Sequence, residues 1–333
     1  MNIGIAFDLK TDFESTGKPD EPEDLFEEYD SATTVEAIEA ALGSRGHQVV
    51  RLGGGRRFLT GILETPPDIV FNIAEGRGSR SREAHVPAVC EIVGVPCTHS
   101  DPLTMAMTLD KAVAKRIVAS LGVPTPRFAV VASESEIEGV DLRFPLFAKP
   151  LFEGSSMGID RHSRLDDRVA LHQRVEDLLQ AYREPVLIEE YCSGAEFTVG
   201  ILGRNGGPRT ALTMEIVPRF VSREAFVYSH EVKRNWAHEI DYQTPPKRPR
   251  VEVEQVEALA LAAYTALGCR DVARVDVRYD AMGQPQFIEC NPLPGLAPAG
   301  WSDLALMWER NGRKYDDLIL AILDHATARL GLS

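Results

Sequence analysis

The chain has 333 residues, of which 44% are hydrophobic and 26% are charged, the proportions of a globular protein with two or three compact units. Its formal net charge of −14 would repel a polyphosphate backbone, which argues against nucleic acid as a partner. No stretch reaches the roughly 18 apolar residues of a membrane span, and the amino terminus lacks a basic signal segment, so neither a membrane nor export is expected. Five scattered cysteines without a Cys-x-x-Cys pair complete the pattern of a reduced, cytoplasmic protein.

The amino-terminal part alternates between strand and helix patterns. Strand-like runs lie at residues 2–7, 48–52 and 68–73. The spacing of Val35, Ile38 and Leu42 predicts a helix between the first two runs. Such β-α-β alternation predicts an open parallel sheet. An insertion at residues 8–30 carries ten acidic side chains and two lysines, which indicates either a solvated loop or a mobile lid near the site.

The rest of the chain continues as a mixture of helix and strand patterns, so the predicted fold class is α/β. Helices are predicted at residues 110–121, 166–181, 253–267 and 315–330. Strands are predicted at residues 127–131, 144–150, 186–189, 197–202, 273–279 and 286–291. No internal repeat of 20–50 residues interrupts this order.

Polar side chains alternate along the last two predicted strands. Arg274 and Asp276 share one face of the first strand, and Glu289 and Asn291 share one face of the second. If the two faces coincide, two carboxylates and an amide oxygen converge beside an arginine, and such hard oxygen ligands suit Mg²⁺ bound together with nucleotide phosphates. The alternative is a surface salt bridge on an edge hairpin, which the apolar residues between these positions disfavour.

Two weaker patterns precede this one. Lys149 leaves a predicted strand just before the Gly/Ser loop, which we define as residues 153–158, and free backbone N–H groups in such a loop can grip phosphate oxygens. The loop is not a Walker motif, and a turn of this composition is as often only a turn. Farther on, Glu189 and Glu190 end a buried strand and Glu196 follows, and these acids suit the amino group of adenine and the hydroxyls of ribose. The alternative interpretation of these acids is that they lie at a solvated strand end.

In this order the patterns resemble the D-alanine:D-alanine ligases, a branch of the ATP-grasp superfamily, from about Asp68 to Asp303. The motifs that carry the resemblance are Asp110-Lys111…Lys115, Leu121–Pro126, Phe147–Pro150 with Gly154-Ser155-Ser156-x-Gly158, Leu187–Glu190, Ala273–Asp276 and Glu289–Gly295. It implies an ATP-grasp fold with an amino-terminal open parallel α/β domain. The implied units are a substrate domain at residues 1–100, a small lobe at 101–190 and a large lobe with the metal and catalytic site at 191–333.

The resemblance also implies residue roles. The residues that it assigns to ATP are Lys111, Lys149, Gly154, Ser156, Glu189, Glu190 and Glu196. Those that it assigns to two Mg²⁺ ions, with Mn²⁺ as an alternative, are Asp276, Glu289 and Asn291. Ser155 lies in the loop over the phosphates, and Lys233 reaches them from a mobile loop. Arg274 and the backbone N–H of Gly295 form an oxyanion hole for a tetrahedral intermediate.

The implied reaction joins two amino-acid-like substrates. ATP converts a carboxylate to an acyl phosphate, an amine attacks it, and ADP and phosphate leave. Ser302 is the candidate for the carboxylate of the second substrate, although the loop before it is longer than the loop of the family. The alternatives are an ordinary D-alanine:D-alanine ligase of peptidoglycan precursor synthesis, a small-molecule kinase that uses the same cleft, and an ATP-binding sensor. The oligomeric state is open, and a homodimer is one alternative.

The amino-terminal substrate region departs from the family. The usual glycine-rich first turn is absent, and Glu27 or Glu28 can take the position of the glutamate that orients the first amino acid's ammonium. Glu75 stands where the family has histidine, and Arg234 where it has tyrosine. We therefore predict a first-substrate site that does not prefer D-alanine: Glu75 would favour a cationic group, and Arg234 would favour an anionic acceptor. A salt bridge between Arg234 and Glu75 is the alternative, and the arginines of residues 77–85 either serve the site or lie in a surface loop.

Overall fold

The computed structural model describes residues 1–13, 22–203, 209–298 and 300–332, which form three β-sheets with helices packed on them. The first elements are β1 (Asn2–Phe7), α1 (Ala32–Gly43), β2 (Gln48–Arg51), α2 (Gly55–Glu64), β3 (Ile69–Ile73) and α3 (His85–Val93). The three strands form a parallel sheet in the order β2-β1-β3. After Asn2, strand β1 is apolar and almost completely buried, as expected for a parallel strand covered on both faces. The Ser31 side chain begins α1 by accepting a hydrogen bond from Thr34 N at 3.2 Å. The predicted open parallel sheet is confirmed.

An antiparallel sheet follows. Its elements and the helices around it are α4 (Pro102–Leu109), α5 (Lys111–Ser120), β4 (Phe128–Val131), β5 (Leu146–Pro150), β6 (Arg164–Leu165), α6 (Arg168–Tyr182) and β7 (Val186–Glu190). The strand order is β4-β7-β5-β6. Leu171, Val175 and Leu178 lie on one face of α6, since they are four and three residues apart, and they pack on this sheet. Helix α6 thereby fixes the sheet that carries Lys149 and Glu189.

The third sheet is also antiparallel and has five strands. Its elements and neighbours are β8 (Glu196–Gly203), β9 (Arg209–Pro218), α7 (His230–Arg234), α8 (Trp236–Glu239), β10 (Ile240–Gln243), α9 (Arg250–Ala266), β11 (Val272–Tyr279), β12 (Pro285–Asn291), α10 (Asp303–Arg310) and α11 (Tyr315–Leu330). The strand order is β10-β9-β8-β11-β12. Ala273, Val275 and Val277 of β11 are buried in the cluster that contains α9. The alternation of a strand therefore turns Arg274 and Asp276 to the opposite face.

All helices and strands predicted from the sequence are present, with ends that differ by a few residues. The sequence patterns missed α2, α3, α4, α7, α8, α10, β6, β9 and β10. Strand β9 had a readable signal, because Leu212, Met214 and Ile216 alternate with polar residues. The predicted division into three units stays a prediction, and one buried cluster joins β1 and β3 to α10 and α11. None of the helices in the described part of the chain is long and apolar enough to cross a membrane.

A buried ion pair ties α11 to the start of β11. Arg329 Nη2 and Nε donate to Asp271 at 2.7 and 2.9 Å, and the Asp271 side chain is fully buried. We expect Arg329→Met to lower the free energy of unfolding by about 3–5 kcal/mol, because it strands a buried carboxylate. Urea unfolding measures this loss. The matched control is Arg45→Met, which removes an exposed partner of Asp324 on the same helix and should cost less than about 1 kcal/mol. Equal losses in the two variants would contradict the prediction.

Candidate active site

The polar faces of β11 and β12 coincide. Arg274 lies opposite Asn291 and Asp276 lies opposite Glu289 in the antiparallel register, so the four side chains share one face of the sheet. Arg274 Nε and Nη2 donate to the Asp276 carboxylate at 3.2 and 3.1 Å. The alternative of a surface salt bridge is wrong: β12 is an edge strand, but the side chains of Arg274, Asp276 and Glu289 are only 15–25% exposed.

The pKa values of the two carboxyl groups on this face are shifted in opposite directions. Burial raises the pKa of Glu289, but the positive charges of Lys149 and Lys111 outweigh burial and hold that pKa well below its usual range. Burial also raises the pKa of Asp276; the Arg274 charge opposes this rise and the Glu289 charge adds to it. A cation placed between the two carboxylates would relieve their repulsion.

The donor set at this face fits Mg²⁺. Asp276 and Glu289 supply carboxylate oxygens and Asn291 an amide oxygen, of which one lone pair already accepts a hydrogen bond from Leu293 N at 2.8 Å. Within the described residues there is no group of three His, Cys, Asp or Glu side chains arranged to hold a metal ion. An ion here would therefore need oxygens from water or phosphates in addition, which is how Mg²⁺ is usually held in nucleotide sites.

A chain of buried charges runs from this face to the second sheet. Lys149 Nζ lies 3.0 Å from Glu289 Oε2 and 3.4 Å from Glu189 Oε2. Glu189 also pairs with Lys115, whose completely buried Nζ donates to Thr125 Oγ1 at 3.0 Å. Lys115 belongs to one of the motifs quoted from the sequence, but this contact was not predicted there. The available signal was a lysine on the buried face of a helix, since a buried lysine almost always has a partner.

The Gly/Ser loop that follows β5 has an unusual backbone. Ser155, Ser156 and Gly158 have φ angles of +48°, +61° and +67°, a region that side chains rarely adopt. A Cβ on Gly158 would lie 2.6 Å from Pro150 Cγ, so only glycine fits this approach. Lys111 Nζ donates to Glu153 O at 2.5 Å and thus holds the start of the loop. Lys111 therefore contacts the loop backbone in this structure.

The short helix α7 presents Lys233. The Ser229 side chain begins the helix by accepting a hydrogen bond from Val232 N at 3.2 Å. Burial lowers the pKa of Lys233, and the negative charge of Asp303 at the start of α10 opposes that shift. Asp303 also lies 3.6 Å from Arg274 Nη1. Asp303 was not predicted as a member of the site because it begins α10, a helix that no clear sequence pattern predicted.

Two neighbouring cavities bring most of the predicted site residues together. Those in the first cavity are Lys149, Ser156, Glu189, Glu190, Glu196, Asp276 and Glu289. Those in the second cavity are Glu27, Glu28, Glu75, Arg234, Asn291, Gly295 and Ser302. Both cavities are lined by Ser155, Lys233, Arg274 and Asp303, so they meet at these four residues. Lys111 and Gly154 line a smaller adjoining pocket with Glu289 and Asn291.

Comparison with known proteins identifies the family. A family model described as the D-ala D-ala ligase C-terminus matches residues 117–324. The chain is 32% identical to a D-alanine–D-alanine ligase of Cupriavidus taiwanensis, over 88% of this chain and 86% of that protein. The chain belongs to the D-alanine–D-alanine ligase family. An uncharacterized protein of Sinorhizobium fredii, y4sG, is a similar relative, with 34% identity over 88% of this chain and 87% of that protein.

The fold of the family is confirmed by solved structures. The D-alanine–D-alanine ligase of Bacillus anthracis, solved in complex with ATP, has a TM-score of 0.70 and 20% identity, over 98% of each chain. The predicted ATP-grasp fold is therefore correct, and so is the resemblance drawn from the motifs. As a member of this family the chain is an ATP-grasp ligase.

This D-alanine–D-alanine ligase homologue has an unusual arrangement at the second cavity. Arg234 pairs with Glu27, not with Glu75, so the predicted alternative of an Arg234–Glu75 salt bridge is wrong. The reason is that the acidic insertion brings Glu27 to α7, where Lys10 and His230 also contact it at 2.7 and 3.3 Å. Within the described residues Glu75 has no ion pair. Burial raises its pKa well above the usual range, and neighbouring carboxyl groups raise it further.

The arginines of residues 77–85 have different environments in this ligase homologue. Arg82 is 6% exposed, and its guanidinium donates to Glu28 at 2.8 and 3.1 Å. The surface-loop interpretation is therefore wrong for Arg82. It is right for Arg80, whose side chain is 69% exposed. Because Arg82 pairs with Glu28, and Lys10 and Arg234 pair with Glu27, neither glutamate is an uncommitted carboxylate.

Three other predicted residues of the ligase site have partners of their own. Ser302 begins α10: its hydroxyl donates to Ala297 O at 2.9 Å and accepts from Ala305 N at 3.4 Å. Glu190 pairs with Arg127 at 3.1 Å near the surface. Glu196 Oε2 is buried and lies 3.5 Å from Arg278 Nη1, an ion pair whose geometry is not that of a hydrogen bond. Glu196 lines the wall of the first cavity.

Proposed function

We propose that this chain is an ATP-dependent carboxylate–amine ligase that joins two amino-acid-like substrates and releases ADP and phosphate, and that its first substrate carries a cationic group. The observation that carries the proposal is the junction of the two cavities at Ser155, Lys233, Arg274 and Asp303. A nucleotide in the first cavity and a carboxylate in the second would meet there. A domain at 1–100 would carry the first substrate, and lobes at 101–190 and 191–333 would grip ATP. A homodimer stays a prediction.

The first cavity has the groups that a nucleotide requires. Glu196 lines this cavity, and its Oε2, which makes no hydrogen bond to the described residues, could accept from ribose hydroxyls while it stays ion-paired with Arg278. Glu189 and Glu190 end the strand on which the adenine amino group would lie. Lys149 and the loop residues Ser155 and Ser156 would contact phosphate oxygens. The B. anthracis ligase was solved with ATP, which supports the same ligand here. Lys111, Gly154 and Lys233 would complete the phosphate site from the adjoining pocket and from α7.

We infer that Asp276, Glu289 and Asn291 hold Mg²⁺, or Mn²⁺ as an alternative, and the ions would neutralise phosphate charge when bound. Lys149 keeps Glu289 ionised and so preserves one ligand as an anion. Arg274 orients Asp276 by a two-point contact. The charge of Glu289 and the orientation of Asp276 are therefore set before a cation binds.

The reaction would proceed in two steps at the junction. An oxygen of the first substrate's carboxylate attacks the γ-phosphorus, and the bond to ADP breaks. The amine of the second substrate then attacks the acyl carbon, and the electron pair of the C=O bond moves to oxygen. Arg274 and the N–H of Gly295 would stabilise that oxyanion. Collapse of the intermediate expels phosphate, and the nitrogen loses a proton to form the amide. Ser302 would hold the second substrate's carboxylate by turning its hydroxyl proton away from Ala297 O.

The charges of the second cavity support a cationic first substrate. Glu75 has no ion pair with any residue that the structure describes, and the carboxyl groups of Glu83, Glu28 and Asp30 raise its pKa in addition to burial. The positive charge of Arg82 opposes this shift, but Arg82 already pairs with Glu28. A ligand cation beside Glu75 would restore its ionisation and gain the full interaction of a buried ion pair.

A substrate panel tests this proposal. We expect ADP release to show a higher kcat/KM with basic D- or L-amino acids as first substrate than with D-alanine. In Glu75→Gln this preference should fall by about tenfold or more, because one charged hydrogen bond is worth roughly 1.5–3 kcal/mol. Glu91→Gln, on an exposed face of α3, is the matched control. If D-alanine alone gives the highest kcat/KM and D-alanyl-D-alanine is the product, the chain is an ordinary D-alanine:D-alanine ligase.

A further inference from the structure

Part of the acidic insertion contacts the Gly/Ser loop across the domain boundary predicted from the sequence. The Asp24 carboxylate accepts one hydrogen bond from Gly158 N at 2.8 Å and a second from Tyr182 Oη at 2.7 Å. Gly158 is 134 residues away in sequence and ends the Gly/Ser loop. Tyr182 is the last residue of α6. One side chain of the insertion thus joins the loop to the helix behind it.

The loop depends on such contacts because its own backbone is strained. Two consecutive serines, Ser155 and Ser156, have left-handed φ angles, and such conformations persist only when the surroundings hold them. Gly158 is held at both backbone groups: Asp24 accepts from its N–H, and Arg174 Nη2 donates to its carbonyl oxygen at 2.7 Å. Arg174 belongs to α6, which lies with the Gly/Ser loop in the predicted lobe 101–190. Asp24 belongs to the acidic insertion, which precedes that lobe in the sequence.

Asp24 contacts the Gly/Ser loop outside the first cavity. Ser155, Ser156 and Ile159 line the first cavity, and neither Asp24 nor Gly158 belongs to its lining. The carboxylate therefore does not compete with a phosphate for the loop's inward N–H groups. Its effect on a nucleotide would pass through the loop backbone.

The insertion is itself anchored close to Asp24. Glu27 pairs with Arg234 of α7 and Glu28 pairs with Arg82. Burial alone would raise the pKa of Glu27, but hydrogen bonds from Lys10 and Arg234 outweigh burial and lower it to about 2. Glu27 is therefore ionised at neutral pH, and its ion pairs persist under the conditions of an assay. The position of Asp24 is fixed by these neighbours and not by the loop alone.

We propose that Asp24 is a positioning residue that sets the Gly/Ser loop for ATP through its hydrogen bond from Gly158 N. The proposal rests on the proposed function, in which this loop grips phosphate oxygens. It extends the proposed function because it assigns a task to the acidic insertion: the insertion that forms one wall of the first-substrate cavity also sets the loop that covers the nucleotide.

The test compares three variants with the wild-type protein in the absence of any amino-acid substrate. We expect Asp24→Ala to weaken binding of a non-hydrolysable ATP analogue with Mg²⁺ by about tenfold to a hundredfold, the effect of losing one charge-assisted hydrogen bond. Asp24→Asn keeps an oxygen acceptor for Gly158 N and should recover most of the affinity. Glu23→Gln removes an exposed carboxylate of the same segment and should bind as the wild type does.

Kinetics and hydrogen exchange complete the test. In Asp24→Ala the KM for ATP should rise while the KM for the amino-acid substrates stays within about twofold, a split that general destabilisation would not produce. The wild-type Gly158 amide should exchange slowly without nucleotide, and this measurement stands even if Asp24→Ala fails to fold. Wild-type affinity in Asp24→Ala, or rapid exchange at Gly158, would overturn the proposal. Absence of nucleotide binding by the wild-type protein would instead overturn the proposed function.

Discussion

Replacing Glu289 by glutamine is expected to lower turnover by roughly two to three orders of magnitude, because several kcal/mol of charge stabilisation are lost at the transferring phosphoryl group. Glutamine keeps the size of the side chain but removes the negative charge that faces Asp276 and Lys149. Lys149 would retain Glu189 at 3.4 Å, so the fold should survive. Initial rates of ADP release over a range of Mg²⁺ concentrations measure the effect.

The matched control for this variant is Glu254→Gln. Glu254 is an exposed carboxylate of α9 that pairs with Arg250 on the surface, so the substitution makes the same chemical change away from both cavities. We expect its turnover to equal that of the wild-type protein. Full Mg²⁺-dependent turnover in Glu289→Gln would show that the carboxylate pair of β11 and β12 does not hold the metal.

Replacing Arg274 by lysine is expected to lower amide formation by about 10²–10³-fold, the usual effect of one lost oxyanion donor, while nucleotide affinity is retained. The guanidinium contacts Asp276 with two nitrogens and Asp303 with a third, a fork that a single ammonium group cannot reproduce. Calorimetry with an ATP analogue and chromatographic quantification of the amide separate the two effects.

Arg250→Lys is the control for this second prediction. Its side chain is 91% exposed on α9, so an exchange of arginine for lysine there should change neither binding nor amide formation. Unchanged amide synthesis in Arg274→Lys would mean that Arg274 serves only to orient Asp276. Loss of nucleotide binding together with activity would mean that the substitution damages the first cavity as a whole.

Alternation along β11 and β12 predicted the geometry of the carboxylate site. Arg274 and Asp276 had to share a face because side chains of a strand alternate, and the apolar residues between them had to be buried. The antiparallel register then brought Glu289 opposite Asp276. This periodicity depends only on neighbouring residues, so the face of each side chain can be predicted from the sequence alone.

Local sequence patterns could not predict the contacts between segments that are far apart in the sequence. Arg234 pairs with Glu27 over 207 residues, and Asp24 reaches Gly158 over 134 residues, so the partners of these charges depend on how the three sheets pack. The sequence patterns left open whether the insertion is a solvated loop or a mobile lid near the site. In its described part, Glu27 and Glu28 lie in the wall of the second cavity, and a lid stays a prediction.

The position of Glu75 is an intermediate case. The motif comparison marked it as a departure from the family, but only the structure revealed that Arg234 is committed to Glu27 and that Glu75 has no ion pair among the described residues. Single charges in a sequence do not indicate which opposite charge they meet. The proposed preference for a cationic substrate rests on that pairing together with the Glu75 position.

Isotope transfer from the first substrate tests the central claim most directly. The preferred amino acid of the panel would be labelled with ¹⁸O in its carboxylate and incubated with ATP, Mg²⁺ and an amine substrate, and the released phosphate analysed by mass spectrometry. An acyl phosphate requires that one carboxylate oxygen leaves with the phosphate, so we predict phosphate with one ¹⁸O atom, in equal amounts to ADP and amide. Unlabelled phosphate, or a stable phosphorylated product without an amide, would contradict ligation through an acyl phosphate.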